Sequence, residues 1–260
     1  MAALHEHGPE STRPGAADVS TDSKGALTRG NSDDRGGHES SHRSPLRCDA
    51  VVFDLDGVLV DSAAVVERHW RTWAAGRGVP FERIAAIHHG RPTVDTVRLV
   101  APQLDAASEA RQIEAGEADD TDGLVIIDGA SRLLSGLPAQ RWAIVTSGTR
   151  RTALARLAHA GLAVPDVLIT ADDVARGKPA PDPYLLAAER LGVAPSRCVV
   201  VEDAPAGVAS ARAAGALVIA VASTTSPAAL SDAHVVLDRL DGLDIEVQPE
   251  GLTIAWPQTA

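Results

Sequence analysis

From Cys48 onward, short apolar runs rich in β-branched residues recur, each followed by an alanine-rich helical pattern. The runs are AVVF at 50–53, WAIVT at 142–146, VLIT at 167–170, CVVV at 198–201, LVIA at 217–220 and HVVL at 234–237. A strand that is apolar at every position must be covered on both faces, which an antiparallel sheet with one wet face does not need. Strands of this kind alternating with helices predict a parallel sheet between two helical layers. The helical stretches end where glycine allows a left-handed exit: that through Leu154 and Leu157 at Gly161, that through Leu185 and Leu191 at Gly192, and that through Val208 and Ala214 at Gly215. The expectation is an α/β fold, a three-layer α/β/α Rossmann-like core with ligands at the carboxyl ends of its strands.

One interval breaks the rhythm. Residues 63–128 show helical patterns and no convincing strand run, and Val66, Trp70 and Trp73 recur at the spacing of one helix face. That stripe reads as core rather than as a ligand box. The interval is expected to be a helical cap inserted into a core made of residues 47–62 and 129–260. Within the core, DIEVQPEGLTIAW at 244–256 reads as a β-hairpin turning at Pro249-Glu250-Gly251. Residues 1–46 have almost no large apolar side chains and are expected to be a disordered tail, its histidines His5, His7, His38 and His42 solvated.

Composition removes several classes of function. The net charge of −11 and an aromatic content of 3% argue against nucleic acid as a partner, since phosphate-backbone binding draws on lysine and arginine patches. No apolar run is long enough to span a bilayer, and no secretory or transit signal is evident, so no membrane partner and a cytoplasmic location are expected. Cys48 and Cys198 are too few for a disulfide framework or a thiolate metal cluster. A small phosphorylated ligand stays compatible with an acidic chain, because one lysine, a helix N-terminus and a divalent cation make a local positive pocket.

Four features fall at predicted strand ends. Asp54 and Asp56 in DLDG are two apart, so both can project to one side of the strand's exit; Asp-Gly is also an ordinary turn dipeptide. Thr146-Ser147-Gly148 offers hydroxyls and free N–H groups suited to phosphate oxygens, or a plain helix N-cap. Lysine occurs only at positions 24 and 178, so all but two of the 24 basic residues are arginine. Lys178, on a loop stiffened by Pro179, Pro181 and Pro183, supplies a compact ammonium that fits between a carboxylate and a phosphate where a planar guanidinium would not. Glu202-Asp203 end another buried run and, with the acids at 54 and 56, can offer hard oxygen ligands to Mg²⁺, although Asp203 could instead cap the next helix.

In this order DLDGVLVDS, VTSG, GKPAPDPY and VEDAPAG resemble the four motifs of the haloacid dehalogenase-like superfamily, in particular its phosphatases with a helical cap after the first motif. WAIVTSGTR, ITADDVARGKPAPDPYLL and VVVEDAPAGVASARAAGA, with HHGRPTVDTVR in the cap, are similar to its sugar-phosphate phosphatases, the group that includes hexose-, glycerol- and 2-deoxyglucose-6-phosphate phosphatases. The resemblance implies a phosphoric monoester hydrolase in which Asp54 is the nucleophile that takes the phosphoryl group. Asp56 would protonate the leaving alcohol and then activate water. Thr146, Ser147 and Lys178 would hold the phosphoryl group. Mg²⁺ would be bound by Asp54, the main-chain carbonyl of Asp56 and Asp203, with Glu202 ligating directly or through water. His88, His89, Arg91 and Thr93, and more faintly Glu117, are candidates for reading a small phosphorylated sugar or polyol from the cap. A β-phosphoglucomutase-like phosphomutase shares all four motifs and is the enzyme alternative; a catalytically silent phosphate-binding module is the other. A monomer is the default expectation.

Overall fold

The computed structural model describes residues 45–257. The expectations for the tail up to position 44, its histidines included, lie outside the described residues. The chain runs through β1 (Leu46–Cys48), β2 (Ala50–Phe53) and β3 (Val60–Asp61) into α1 (Ala63–Arg77), α2 (Phe81–Ala85), α3 (Thr93–Val100) and α4 (Ala106–Asp119), and returns through β4 (Val125–Ile126). Next come α5 (Ala130–Ser135), β5 (Trp142–Val145), α6 (Arg150–Ala160), β6 (Leu168–Ile169), α7 (Asp182–Leu191), β7 (Cys198–Glu202), α8 (Pro205–Ala213), β8 (Leu217–Val221) and β9 (Val235–Leu237). The hairpin of β10 (Asp244–Gln248) and β11 (Gly251–Ala255) follows.

The six apolar runs form one parallel sheet in the order β6-β5-β2-β7-β8-β9. Alternation along β2 sends Val51 and Phe53 into one apolar core and Ala50 and Val52 into the other, so both faces are dry, as an all-apolar strand requires. Strand order reverses at β2, with β5 on one side and β7 on the other. Such a switch point leaves a crevice at the carboxyl ends of the strands, and the residue that follows β2 is Asp54. Gly161 and Gly192 stand at φ 65° and 68° and close α6 and α7, matching the stop signals in the sequence.

Helices α1 to α4 have an apolar core of their own, built on Trp70, Trp73, Ile84, Val97, Val100 and Ile113, with the two indoles edge to face at 5.6 Å. The Val66/Trp70/Trp73 stripe serves two purposes, which corrects its reading as core alone: Trp73 packs inside, whereas Val66 and Trp70 also wall a cavity toward the sheet. Three short strands escaped the sequence reading. β1 starts at Leu46, inside the expected tail, and pairs with β11 to make the hairpin a three-stranded antiparallel sheet. β4 lies inside the interval read as strand-free and pairs with β3. Two or three residues are too few to display a period, and their partners are distant in sequence.

The loop after α2 rests on the sheet's carboxyl end. The Gly90 carbonyl accepts a hydrogen bond from Ser147 Oγ at 2.9 Å. Gly90 has φ 69°, and a Cβ there would stand 2.6 Å from the Ala204 Cβ. A Cβ on Gly177 would lie 2.2 Å from Pro92 Cγ. Only glycine permits so close a seat, and the cap is down on the core.

Candidate active site

Asp54 is buried where β2 ends, its N–H bonded to the Val201 carbonyl at 2.9 Å. Lys178 Nζ donates to Asp54 Oδ1 at 2.8 Å, to Glu202 Oε1 at 2.7 Å and to the Val145 carbonyl at 3.2 Å. These three acceptors use all three ammonium protons, and the side chain is 1% exposed. Burial works against the charge on Lys178, and the carboxylates of Asp54 and Glu202 outweigh it, holding its pKa above the usual lysine value. For Asp54, burial is the larger influence and pushes its pKa up to about 7 against the pull of Lys178.

Glu202 is saturated by protein donors. Oε1 accepts Lys178 and the Tyr184 hydroxyl at 2.7 Å each, and Oε2 accepts the N–H groups of Asp203 at 2.9 Å and Ala204 at 3.1 Å. Gly207 makes room for it, since a Cβ there would fall 1.6 Å from Oε1. Asp203, next along the strand end, points the other way, toward the cavity that it lines. Its Oδ2 accepts the Thr224 hydroxyl and would meet a Gly57 Cβ at 2.0 Å, where Gly57 stands at φ 79°. Burial, then the charges of Glu202 and Asp54, raises Asp203 well above the carboxylate range. Asp203 does not start the next helix: α8 begins at Pro205 after Ala204.

Oxygens of Asp54, Glu202 and Asp203 come within 4.8 Å of one another. Three buried acids face one buried ammonium, and hard oxygen donors with a surplus of negative charge fit a small divalent cation. With Glu202 already saturated, Asp54 and Asp203 are the acids with oxygen capacity left for one.

Asp56 lines the same cavity as Asp54. Its Oδ1 accepts the Ser62 hydroxyl at 2.7 Å and its Oδ2 accepts Arg156 Nη1 at 2.6 Å, with Thr146 Oγ1 farther off at 3.5 Å. Thr149, not Thr146 or Ser147, caps α6, its side chain accepting the Thr152 N–H at 3.2 Å. Thr146 and Ser147 therefore stand in the cavity wall, with Thr146 Oγ1 accepting the Gly148 N–H at 3.1 Å.

All five cap candidates line this cavity of about 220 Å³, together with Val66, Trp70, Phe81 and Ala85. His88 and His89 stack at 4.1 Å, and Trp70 lies 6.3 Å from His88. Burial, then His89, lowers the His88 pKa to about 4, and burial lowers His89 as well, so both rings are neutral near pH 7. Arg91 is tied back to the Ile87 carbonyl at 3.2 Å. Glu117 is joined to Arg156.

Sequence reasoning missed Ser62, Tyr184, Thr224 and Arg156. Ser62 lies within DLDGVLVDS, and Thr224 stands in a hydroxyl-rich STTS at the exit of β8, a strand-end signal of the same kind as Thr146. Nothing in a chain whose cations are nearly all arginine marks out Arg156.

Residues 48–215 match the haloacid dehalogenase-like hydrolase family. The chain belongs to that family. Hexitol phosphatase A of Escherichia coli (strain K12) is 45% identical over 214 residues, covering 79% of this chain and 98% of the relative. Glycerol-1-phosphate phosphohydrolase 2 of Saccharomyces cerevisiae is 35% identical over 198 residues, covering 69% of this chain and 76% of the relative. A haloacid dehalogenase family hydrolase from Deinococcus radiodurans R1, solved with bound phosphate and sodium, superposes with a TM-score of 0.55 at 32% identity, covering 74% of this chain and 91% of that one. Among the described residues of this family member, no helix is long and apolar enough to cross a membrane.

Proposed function

We propose that this chain is a Mg²⁺-dependent phosphatase of small sugar or polyol phosphates that works through an aspartyl-phosphate on Asp54. The observation that carries this reading is the buried Asp54–Lys178–Glu202 clamp opening onto a small capped cavity. Lys178, fixed by three acceptors, holds Asp54 Oδ1 and leaves Oδ2 for in-line attack on phosphorus. The Thr146 hydroxyl and the backbone N–H of Ser147 steady the transferring oxygens, and positioned charge of this kind carries most of phosphoryl-transfer catalysis. Asp56 gives a proton to the departing alkoxide and takes one from the water that attacks the phospho-Asp54 phosphorus, regenerating Asp54 and releasing phosphate. Asp54, Asp203 and the main-chain carbonyl of Asp56 would hold Mg²⁺, which when bound supplies positive charge to the phosphoryl oxygens. Glu202 serves that site from behind, by fixing Lys178 and the Asp203 amide.

Substrate size and polarity follow from the cap. A cavity of about 220 Å³ is smaller than the roughly 300–1,000 Å³ of sites for drug-sized ligands. Neutral His88 and His89 can donate to or accept from hydroxyls, and the Trp70 and Phe81 wall suits a carbon chain. Hexitol phosphatase A and the yeast glycerol-1-phosphate phosphohydrolase act, by their names, on phosphorylated polyols, which supports the same class here.

A panel of triose to hexose phosphates and their polyol counterparts, assayed for released phosphate with Mg²⁺, tests the reading. Turnover of at least one class is expected; conversion of glucose 1-phosphate to the 6-phosphate without free phosphate would instead establish a mutase, and binding with no turnover a silent module. EDTA is expected to abolish activity and added Mg²⁺ to restore it; activity indifferent to EDTA contradicts the metal. Gly90→Ala is expected to lower kcat/KM about tenfold, because left-handed backbone costs a side chain about 1–2 kcal/mol and the new Cβ meets Ala204 as the cap seats. Unchanged kcat/KM in that variant would show that the loop need not seat as described.

A further inference from the structure

Arg156 belongs to α6 of the core, yet its side chain is 4% exposed and lies under the cap. Nη1 donates to Asp56 Oδ2 at 2.6 Å and Nη2 to Glu117 Oε2 at 3.1 Å. Asp56 sits on the loop leaving β2, and Glu117 on α4 of the cap. One guanidinium thus joins the proposed proton-transfer group to the cap that covers it.

Arg156 is a poor choice for mere adhesion. Its Nε is buried without a hydrogen-bond partner among the described residues. A guanidinium withdrawn from water with an N–H left over is costly, and well-packed apolar side chains in place of a whole buried set of ion partners are often as stable or more so. Helices α4 and α6 already have other contacts: the exposed Arg151–Asp119 pair, and Thr152 Oγ1 near the Glu114 carbonyl at 3.5 Å. The bridge therefore has a cost that adhesion does not explain.

We propose that Arg156 is a positioning residue that makes cap closure and the alignment of Asp56 a single event. The proposal rests on the phosphatase reading, in which Asp56 moves the proton. With the cap down, Glu117 holds one end of the guanidinium, and the other end fixes Asp56 Oδ2 while Ser62 fixes Oδ1. With the cap raised, Glu117 withdraws, the guanidinium gains water and a choice of rotamers, and Asp56 loses one of its two close donors. Proton transfer is thereby confined to the state in which the cap covers the substrate. A misaligned acid slows the chemical step without weakening the grip on phosphate, so the signature falls on kcat.

The test uses the full chain with Mg²⁺ and the best substrate of the polyol and sugar phosphate panel. Arg156→Met is expected to lower kcat about 100-fold, the scale of a displaced reacting group, with KM changed less than about threefold; its thermal midpoint should fall, because Glu117 and Asp56 lose the buried cation between them. Arg156→Lys should recover about tenfold of that loss. Glu117→Gln should lower kcat about tenfold alone and add nothing in the Arg156→Met background, as for two residues acting through one link. An unchanged kcat in Arg156→Met, a rise in KM alone, or additive losses in the double variant would overturn the proposal. Should Arg156→Met fail to fold, Glu117→Gln and Arg156→Lys decide alone: wild-type kcat in both overturns it. A wild-type enzyme inactive on the whole panel overturns the phosphatase reading and this inference together, whereas an active wild type matched by its variants overturns this inference alone.

Discussion

Asp54→Asn will stop phosphate release while leaving the protein folded and able to bind its substrate. The amide keeps the shape of the side chain but neither attacks phosphorus nor leaves from it, and losing the covalent nucleophile lowers turnover by more than about 10⁴-fold. Folding should survive because the substitution removes one of three buried acids gathered around a single ammonium. Lys178 would still donate to Glu202 and to the Val145 carbonyl. Calorimetric titration with the substrate should show binding within a few-fold of wild type, and the thermal midpoint should not fall. Measurable turnover, or a collapsed midpoint, would contradict this allocation of roles.

Lys178→Met should be worse for the fold as well as for the chemistry. It leaves Asp54 with no cation and Glu202 with Tyr184 and two amides. Removing one partner of a buried ion pair costs about 3–5 kcal/mol, which for a domain of this size lowers the midpoint by about 10 °C. Activity should fall on the order of 10³-fold or more, because one preorganised charge is lost at the phosphoryl group and Asp54 is no longer oriented. Lys178→Arg is not expected to rescue it: the planar fork has no room where the ammonium is 1% exposed between three acceptors. Differential scanning and a steady-state assay at saturating Mg²⁺ check both effects. A stable variant without activity would mean that the clamp is catalytic and not structural.

The layout of the sheet was legible because its strands are apolar at every position and end in polar groups. An acid such as Asp54 or Asp203 closing an all-apolar run has no reason to be there unless something binds it, so the ligand end of the sheet was marked by the sequence itself. Lys178 stood out against an arginine background. Adjacency could not tell Glu202 from Asp203, however. Consecutive residues at a strand end face opposite ways, and only the fold shows that Glu202 turns into donors of the protein while Asp203 turns toward the cavity. β1, β3 and β4 stayed hidden because strands of two or three residues owe their pairing to distant partners. Arg156 stayed hidden because its role depends on two acids, 100 and 39 residues away in sequence, and no periodicity reports such a meeting.

The central claim is that Asp54 carries the phosphoryl group between two half-reactions. Borohydride reduces an acyl phosphate to an alcohol, so enzyme quenched during turnover with its best substrate and Mg²⁺, then reduced and digested, should yield homoserine at position 54 in the peptide spanning β2. The conversion should need substrate and should be missing from Asp54→Asn. An unmodified Asp54 under rapid turnover, or reduction at Asp56 instead, would contradict the account.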